Sequence, residues 1–148
     1  MEIELAIKRT FKNQQEKAYN NILFTNNWLD GQYKTFFAQF GLTQQQYNVM
    51  KVLKNYYPEP CKANVLTTGL IEKTPDVSRI IERLRLKGFV DRQLKEGDRR
   101  SVDIVLTNRG MGMLFKVDSE IHRLESNFNR INEAELATLN SLLDRLRG

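Results

Sequence analysis

The chain has 148 residues, of which 41% are hydrophobic, enough for one compact domain or a small domain with an appended element. No apolar run approaches the roughly 20 residues that span a bilayer, and the N-terminus mixes acidic and basic residues, unlike a signal peptide. We therefore expect a soluble, cytoplasmic protein without a membrane partner. One cysteine, Cys61, and one histidine, His122, exclude an internal disulfide framework and a structural zinc site.

The net charge of +5 is concentrated in the middle of the chain. Residues 62–100 hold ten basic and six acidic side chains, a net charge of +4, whereas residues 1–61 carry +2 and residues 101–148 carry −1. A basic centre between nearly neutral flanks is typical of a protein that binds a polyanion, and a solvated surface would give the same count.

The first half of the chain has the apolar spacing of helices. Residues 11–40 predict one long helix that Gly41 ends. Thr43 and Gln46 form a capping-box pattern at the start of a second, short core helix. Pro58 and Pro60 cannot continue that helix, and a third helix is expected over about residues 62–72.

The middle of the chain predicts a helix followed by a β-hairpin. Thr74 and Pro75 have the pattern of an N-cap and a first helical residue, and Gly88 ends this helix after Lys87. Residues 89–94 and 102–106 are β-rich and flank a charged tip at residues 95–100. The order is therefore helix, turn, basic helix and hairpin.

This basic helix has two contrasting sides. Its apolar side carries Val77, Ile80, Ile81 and Leu84. Its polar side carries Asp76, Arg79 and Arg83, an arrangement that suits entry into a major groove of DNA, although an ordinary amphipathic surface helix has the same pattern. Arg99 and Arg100 in the hairpin tip can reach a minor groove, with Asp98 orienting one of them; a solvated charged turn is the alternative.

The last third of the chain predicts two helices, each with an apolar stripe. The first stripe has heptad-like spacing and consists of Leu114, Val117, Ile121, Leu124, Phe128 and Ile131. The second follows a cap signal at Asn132 and consists of Leu136, Leu139, Leu143 and Leu146. Together with the first long helix, these stripes favour burial against a second copy of the chain over packing within one chain.

The central motifs resemble a known family. TPDVSRIIERL at residues 74–84, KGFV at 87–90, GDRRS at 97–101 and LTNRG at 106–110 are similar to the core of MarR-type regulators. The resemblance implies a mainly helical fold with a small β-hairpin: a winged helix-turn-helix at residues 41–107, flanked by dimerisation helices at 1–40 and 108–148. It also implies a homodimer that binds a pseudo-palindromic operator in double-stranded DNA, commonly as a repressor.

By the same resemblance, specific positions are expected to contact DNA. Thr74, Asp76, Ser78 and Arg79 would lie near bases or phosphates in the major groove. Arg100 would enter the minor groove, oriented by Asp98. The expected phosphate contacts are Lys73, Arg83 and Arg99.

Many such regulators release DNA when a small aromatic or anionic effector binds between the dimer helices and the winged domain. The candidate pocket residues here are Trp28, Phe36, Phe40 and Tyr47, which are equally understandable as core. We expect Cys61 to be passive and His122 to be a bystander, and we expect neither a cofactor nor a metal.

Other functional classes fit less well. The chain has no motif that assembles a catalytic set, so we expect no enzyme activity. A winged-helix module that binds protein, or a non-specific nucleic-acid binder without a ligand switch, is the alternative that the sequence leaves open.

Overall fold

A computed structural model describes residues 2–62, 65–66, 76–94 and 102–148. The fold is mainly helical with a small antiparallel sheet, as the sequence predicts. The helices are α1 (Ile3–Ile7), α2 (Gln14–Ala38), α3 (Gln44–Lys54), α4 (Val77–Leu86), α5 (Asn108–Glu120), α6 (His122–Glu125) and α7 (Glu133–Arg147), with a 3-10 turn at Ser126–Arg130 before α7. The strands are β1 (Cys61–Lys62), β2 (Val90–Leu94) and β3 (Val102–Leu106).

Side-chain caps determine where several helices begin. The side chain of Asn13 accepts the amide of Glu16 and starts α2. Thr43 with Gln46, and Asn132 with Glu135, form complete capping boxes at α3 and α7. The capping signals that the sequence predicts at Thr43 and Asn132 are therefore both present.

The three strands form one sheet in the order β1–β3–β2. The hairpin of β2 and β3 pairs Val90 with Leu106 and Leu94 with Val102. The predicted third helix needs correction at its start, because Lys62 pairs with Asp103 in β1. A two-residue strand has no periodicity of its own, and it forms because β3 offers it an edge. Val65 and Leu66 are helical, and the remainder of residues 63–75 lies outside the described part.

One buried core joins the segments. Its members come from the end of α2, from α3, α4 and α5 and from the sheet, and they include Phe37, Met50, Leu84, Ile104 and Leu114. The winged segment and its flanking helices thus share apolar contacts, and the division at residues 40 and 107 stays a prediction.

The heptad-like helix predicted over residues 114–131 is not one continuous α-helix. The α-helical hydrogen bonding is interrupted at Ile121, whose backbone stays in the right-handed helical region, and the path continues as the short α6 and the 3-10 turn. Ser119, Ser126 and Asn127 each bond a carbonyl three residues earlier, and such side-chain bonds compete with the α-helical pattern. Leu114 and Val117 are fully buried in the core of their own chain, whereas Phe128 is exposed.

Within the described ranges, no helix combines the length and the apolar character that a membrane span requires.

Candidate nucleic-acid interface

The helix α4 packs its apolar side against the core and exposes its polar side to solvent. Val77, Ile81 and Leu84 are buried in the common core. Arg79 and Arg83 lie on the exposed side, as does Ser78. Burial of one side fixes the helix, so its basic side faces solvent in a defined direction.

Asp76 starts this helix. Its Oδ1 accepts the backbone amide of Arg79 at 3.1 Å, and α4 therefore begins at Val77. The predicted helix start at Thr74 and Pro75 is thus wrong by two residues for α4, because the carboxylate of Asp76 supplies the cap. Thr74 and Lys73 themselves lie outside the described residues.

The same carboxylate holds the side chain of Arg79. Oδ2 of Asp76 lies 2.7 Å from Nε of Arg79, while the Arg79 side chain remains 82% exposed. A charge-assisted contact of this length restricts the guanidinium without burying it.

The far end of α4 is tied to its neighbours. Nζ of Lys87 donates to the carbonyl of Gly41 and, at 3.2 Å, to Oε1 of Gln46. Gly88 has a φ of +71°, the left-handed conformation that ends a helix. The hydroxyl of Thr107 donates to the Gly88 carbonyl at 2.7 Å. The α2–α3 turn and the end of β3 therefore fix the position of α4.

An acidic residue links α4 to the hairpin. Glu82 lies 2.8 Å from Nη2 of Arg85 and 3.4 Å from Nη2 of Arg92 in β2. The hydrogen bond from Arg85 lowers the pKa of Glu82. Asp98, Arg99 and Arg100, the predicted wing residues between β2 and β3, lie outside the described residues.

Cys61 lies in the sheet, in strand β1. Its thiol is buried and unoxidised, and burial, with the negative charge of Asp103, raises its pKa. A raised pKa reduces the thiolate fraction that redox sensing requires. Asp103 is itself buried, and its Oδ1 has no hydrogen-bond partner among the described residues.

The predicted effector residues fall into different surroundings. Phe36 packs edge-on against Phe37, with ring centroids 5.1 Å apart, and at a tilt against Phe40, with ring centroids 5.2 Å apart. Trp28 lies about two turns earlier on α2 and is exposed. Tyr47 lines a groove of about 230 Å³, whose apolar walls are Tyr33, Phe37, Ile121, Leu124 and Phe128. Of the four predicted residues, Tyr47 is the one that borders this groove.

A charged cluster that the sequence analysis missed lies beside the groove. The hydroxyl of Tyr47 donates to Oδ1 of Asp118 at 2.7 Å, and Lys51 and Lys54 lie 3.2 and 3.4 Å from Oδ2. Burial and this hydrogen bond raise the pKa of Tyr47. Partial burial alone would raise the pKa of Asp118, but the bonds from Tyr47 and the lysines outweigh it and lower that pKa. The polar Asp118 within the apolar stripe of α5 was the available signal.

Known proteins resemble the chain in sequence and in fold. No family model matches the chain. The HTH-type transcriptional regulator PecS of Dickeya dadantii is 25% identical over 112 residues, which are 74% of this chain and 68% of that protein. A MarR transcription factor from Planctomyces limnophilus is 28% identical with a TM-score of 0.72, over 92% of this chain and 98% of that one.

The fold is also shared with a solved structure of lower sequence identity. E. coli MarR complexed with operator DNA is 21% identical with a TM-score of 0.78, over 93% of this chain and 99% of that one. These relatives are transcription regulators and not enzymes. The chain therefore has the winged helix-turn-helix fold of MarR-type transcription regulators and is similar to them in sequence.

Proposed function

We propose that the chain is a sequence-specific, double-stranded DNA-binding transcription regulator that acts as a homodimeric repressor on a pseudo-palindromic operator. The observation that carries the proposal is the exposed, basic side of α4, opposite a face that the core holds in place. Such a helix can enter a major groove without rearranging the fold. The operator complex of E. coli MarR, a protein with the same fold, supports this role.

The proposed DNA contacts come from α4 and from the segment between β2 and β3. Ser78, Arg79 and Arg83 would contact bases or phosphates from α4, with Asp76 at the start of the helix and Lys73 and Thr74 just before it in the sequence. The wing residues Asp98, Arg99 and Arg100 would follow β2, with Arg100 in the minor groove. These assignments rest on the family resemblance and on the exposure of the α4 residues.

A homodimer is proposed because apolar side chains remain uncovered at both ends of the chain. They are Ile22, Leu23 and Trp28 on α2, and Leu139, Leu142 and Leu146 on α7. A second copy would bury them and would place two α4 helices to read two half-sites. We also place the protein in the cytoplasm, where a bacterial transcription regulator would meet its operator.

We further propose that a small aromatic or anionic effector binds in the groove that Tyr47 lines and thereby causes the protein to release its DNA. Its apolar walls suit a ring, and Tyr47 and Gln44 supply polar atoms that could fix its orientation. Trp28, Phe36 and Phe40 are weaker candidates for this site, since they lie away from the groove walls.

Selection of duplexes from a random pool tests the proposal, first with the protein alone and then with added aromatic acids such as salicylate. Enrichment of one palindrome, reduced when the acid is present, is the expected result. Binding without sequence preference would favour the non-specific alternative. No binding at all would favour a winged-helix module that recognises protein.

A further inference from the structure

We propose that Arg79 reads one guanine in each half of the operator and that Asp76 is the positioning residue that aims it. The inference rests on the proposed DNA-binding function and goes beyond it, because it assigns a base to one side chain. The pair combines an ion-paired guanidinium with high exposure: the Arg79 side chain is 82% exposed, whereas that of Arg85, paired with Glu82, is 43% exposed.

Both oxygens of the Asp76 carboxylate are engaged by the same residue. Oδ1 accepts the backbone amide of Arg79, which fixes the carboxylate relative to the first turn of α4. Oδ2 then contacts Nε of Arg79 at 2.7 Å, which fixes the guanidinium relative to the carboxylate. The arginine is therefore positioned relative to the helix before any DNA is bound.

The contact leaves the two Nη groups of the guanidinium free to bind a base. Asp76 uses Nε, and the side chain is 82% exposed. The two Nη groups carry four further N–H donors in one plane. Two parallel donors of this kind match the O6 and N7 acceptors of guanine in the major groove.

The carboxylate also disfavours the competing contact. A phosphate that approached Arg79 would come close to the negative charge of Asp76 and would be repelled by it. A guanine edge is neutral and meets no such repulsion. Arg83 lies one turn further along the same helix, exposed and without an ion pair to any described residue, so it suits a phosphate.

Two substitutions separate the positioning of Arg79 by Asp76 from the helix-capping role of Asp76 and from the positive charge of Arg79. Asp76→Ser retains a side chain that caps helices well but removes the contact to Nε. Arg79→Lys retains the positive charge but loses the planar pair of donors. Arg83→Ala is the matched control, a lost positive charge on the same exposed side of α4.

The experiment is duplex selection with the wild type and the three variants, after thermal melting has confirmed that each is folded. We expect the wild type to enrich one guanine in each half-site. Asp76→Ser and Arg79→Lys should each lower the preference for that guanine by roughly tenfold or more and leave the other positions unchanged. Arg83→Ala should weaken binding to every duplex by about the same factor, whatever the sequence of the duplex.

Two results would overturn the inference while the proposed function stands. The guanine preference could survive in both variants, or the variants could relax two different base pairs, which would mean that Asp76 contacts a base itself. If the wild type enriches no sequence, the proposed function fails and the inference fails with it.

Discussion

At the scale of single residues, Gly110 determines how closely α5 approaches the start of the wing. A Cβ at this position would lie 2.1 Å from the carbonyl oxygen of Phe89, which already accepts the amide of Thr107. Gly112, in the same helix, has no atom within 4 Å of such a Cβ. The pair therefore separates a steric effect from the general effect of replacing glycine in a helix.

We predict that Gly110→Ala lowers the free energy of unfolding by about 1–3 kcal/mol, because backbone must shift to admit the methyl group. Gly112→Ala should be neutral or stabilise the protein by up to about 1 kcal/mol, since alanine favours helix. Urea denaturation of the two variants measures both values. Equal changes in the two variants would contradict the close approach at Gly110.

A second residue-scale prediction concerns Asp118. Because its pKa is lowered in the folded protein, its contribution to stability is full above the ordinary carboxyl value of 3.8 and is lost as the pH falls below it. The wild type should therefore lose stability more steeply than Asp118→Asn over that acidic range. Urea midpoints against pH measure this difference, and parallel profiles would show that the cluster with Tyr47 contributes nothing.

At the scale of elements, local signals predicted more than long-range ones. The capping boxes at Thr43 and Asn132 depend on residues three apart, so the sequence contains all the information they need. The strand β1 depends on an edge more than 40 residues away, at Ile104, and the sequence offered no sign of it. The stripe from Leu114 could not reveal which of its members face the protein's own core.

In the candidate site, too, local features were predictable from the sequence and long-range contacts were not. The exposed and buried sides of α4 were predictable from helical spacing. The capping role of Asp76 was missed, since Thr74 and Pro75 formed a stronger local pattern. The contact of Tyr47 with Asp118 joins residues 71 positions apart and was beyond any local pattern.

The wing supplies the element-scale prediction. If Arg100 enters the minor groove, Arg100→Ala should weaken operator binding by roughly tenfold or more without lowering the melting temperature, because the sequence predicts Arg100 in a charged tip and not in the core. Mobility-shift titration and thermal melting together measure both effects. Undiminished affinity would remove the wing from the mechanism.

At the scale of the whole molecule, the apolar side chains of α7 form the proposed contact with a second copy. Leu142 is 53% exposed in the single chain, so Leu142→Glu should shift the protein toward monomer. Leu114 is fully buried, so Leu114→Ala should instead destabilise the fold by roughly 2–5 kcal/mol. Sedimentation equilibrium measures the first effect, and an unchanged dimer in Leu142→Glu would place the interface elsewhere.

The central claim is specific recognition of DNA by two copies of this chain. Fluorescence anisotropy tests it most directly, with a duplex selected by the protein, a scrambled duplex of equal composition, and a series of salt concentrations. We expect two chains to bind each selected duplex, with a preference over the scrambled duplex of roughly a thousandfold or more and an affinity that falls as salt rises. Equal affinity for the two duplexes would contradict the account.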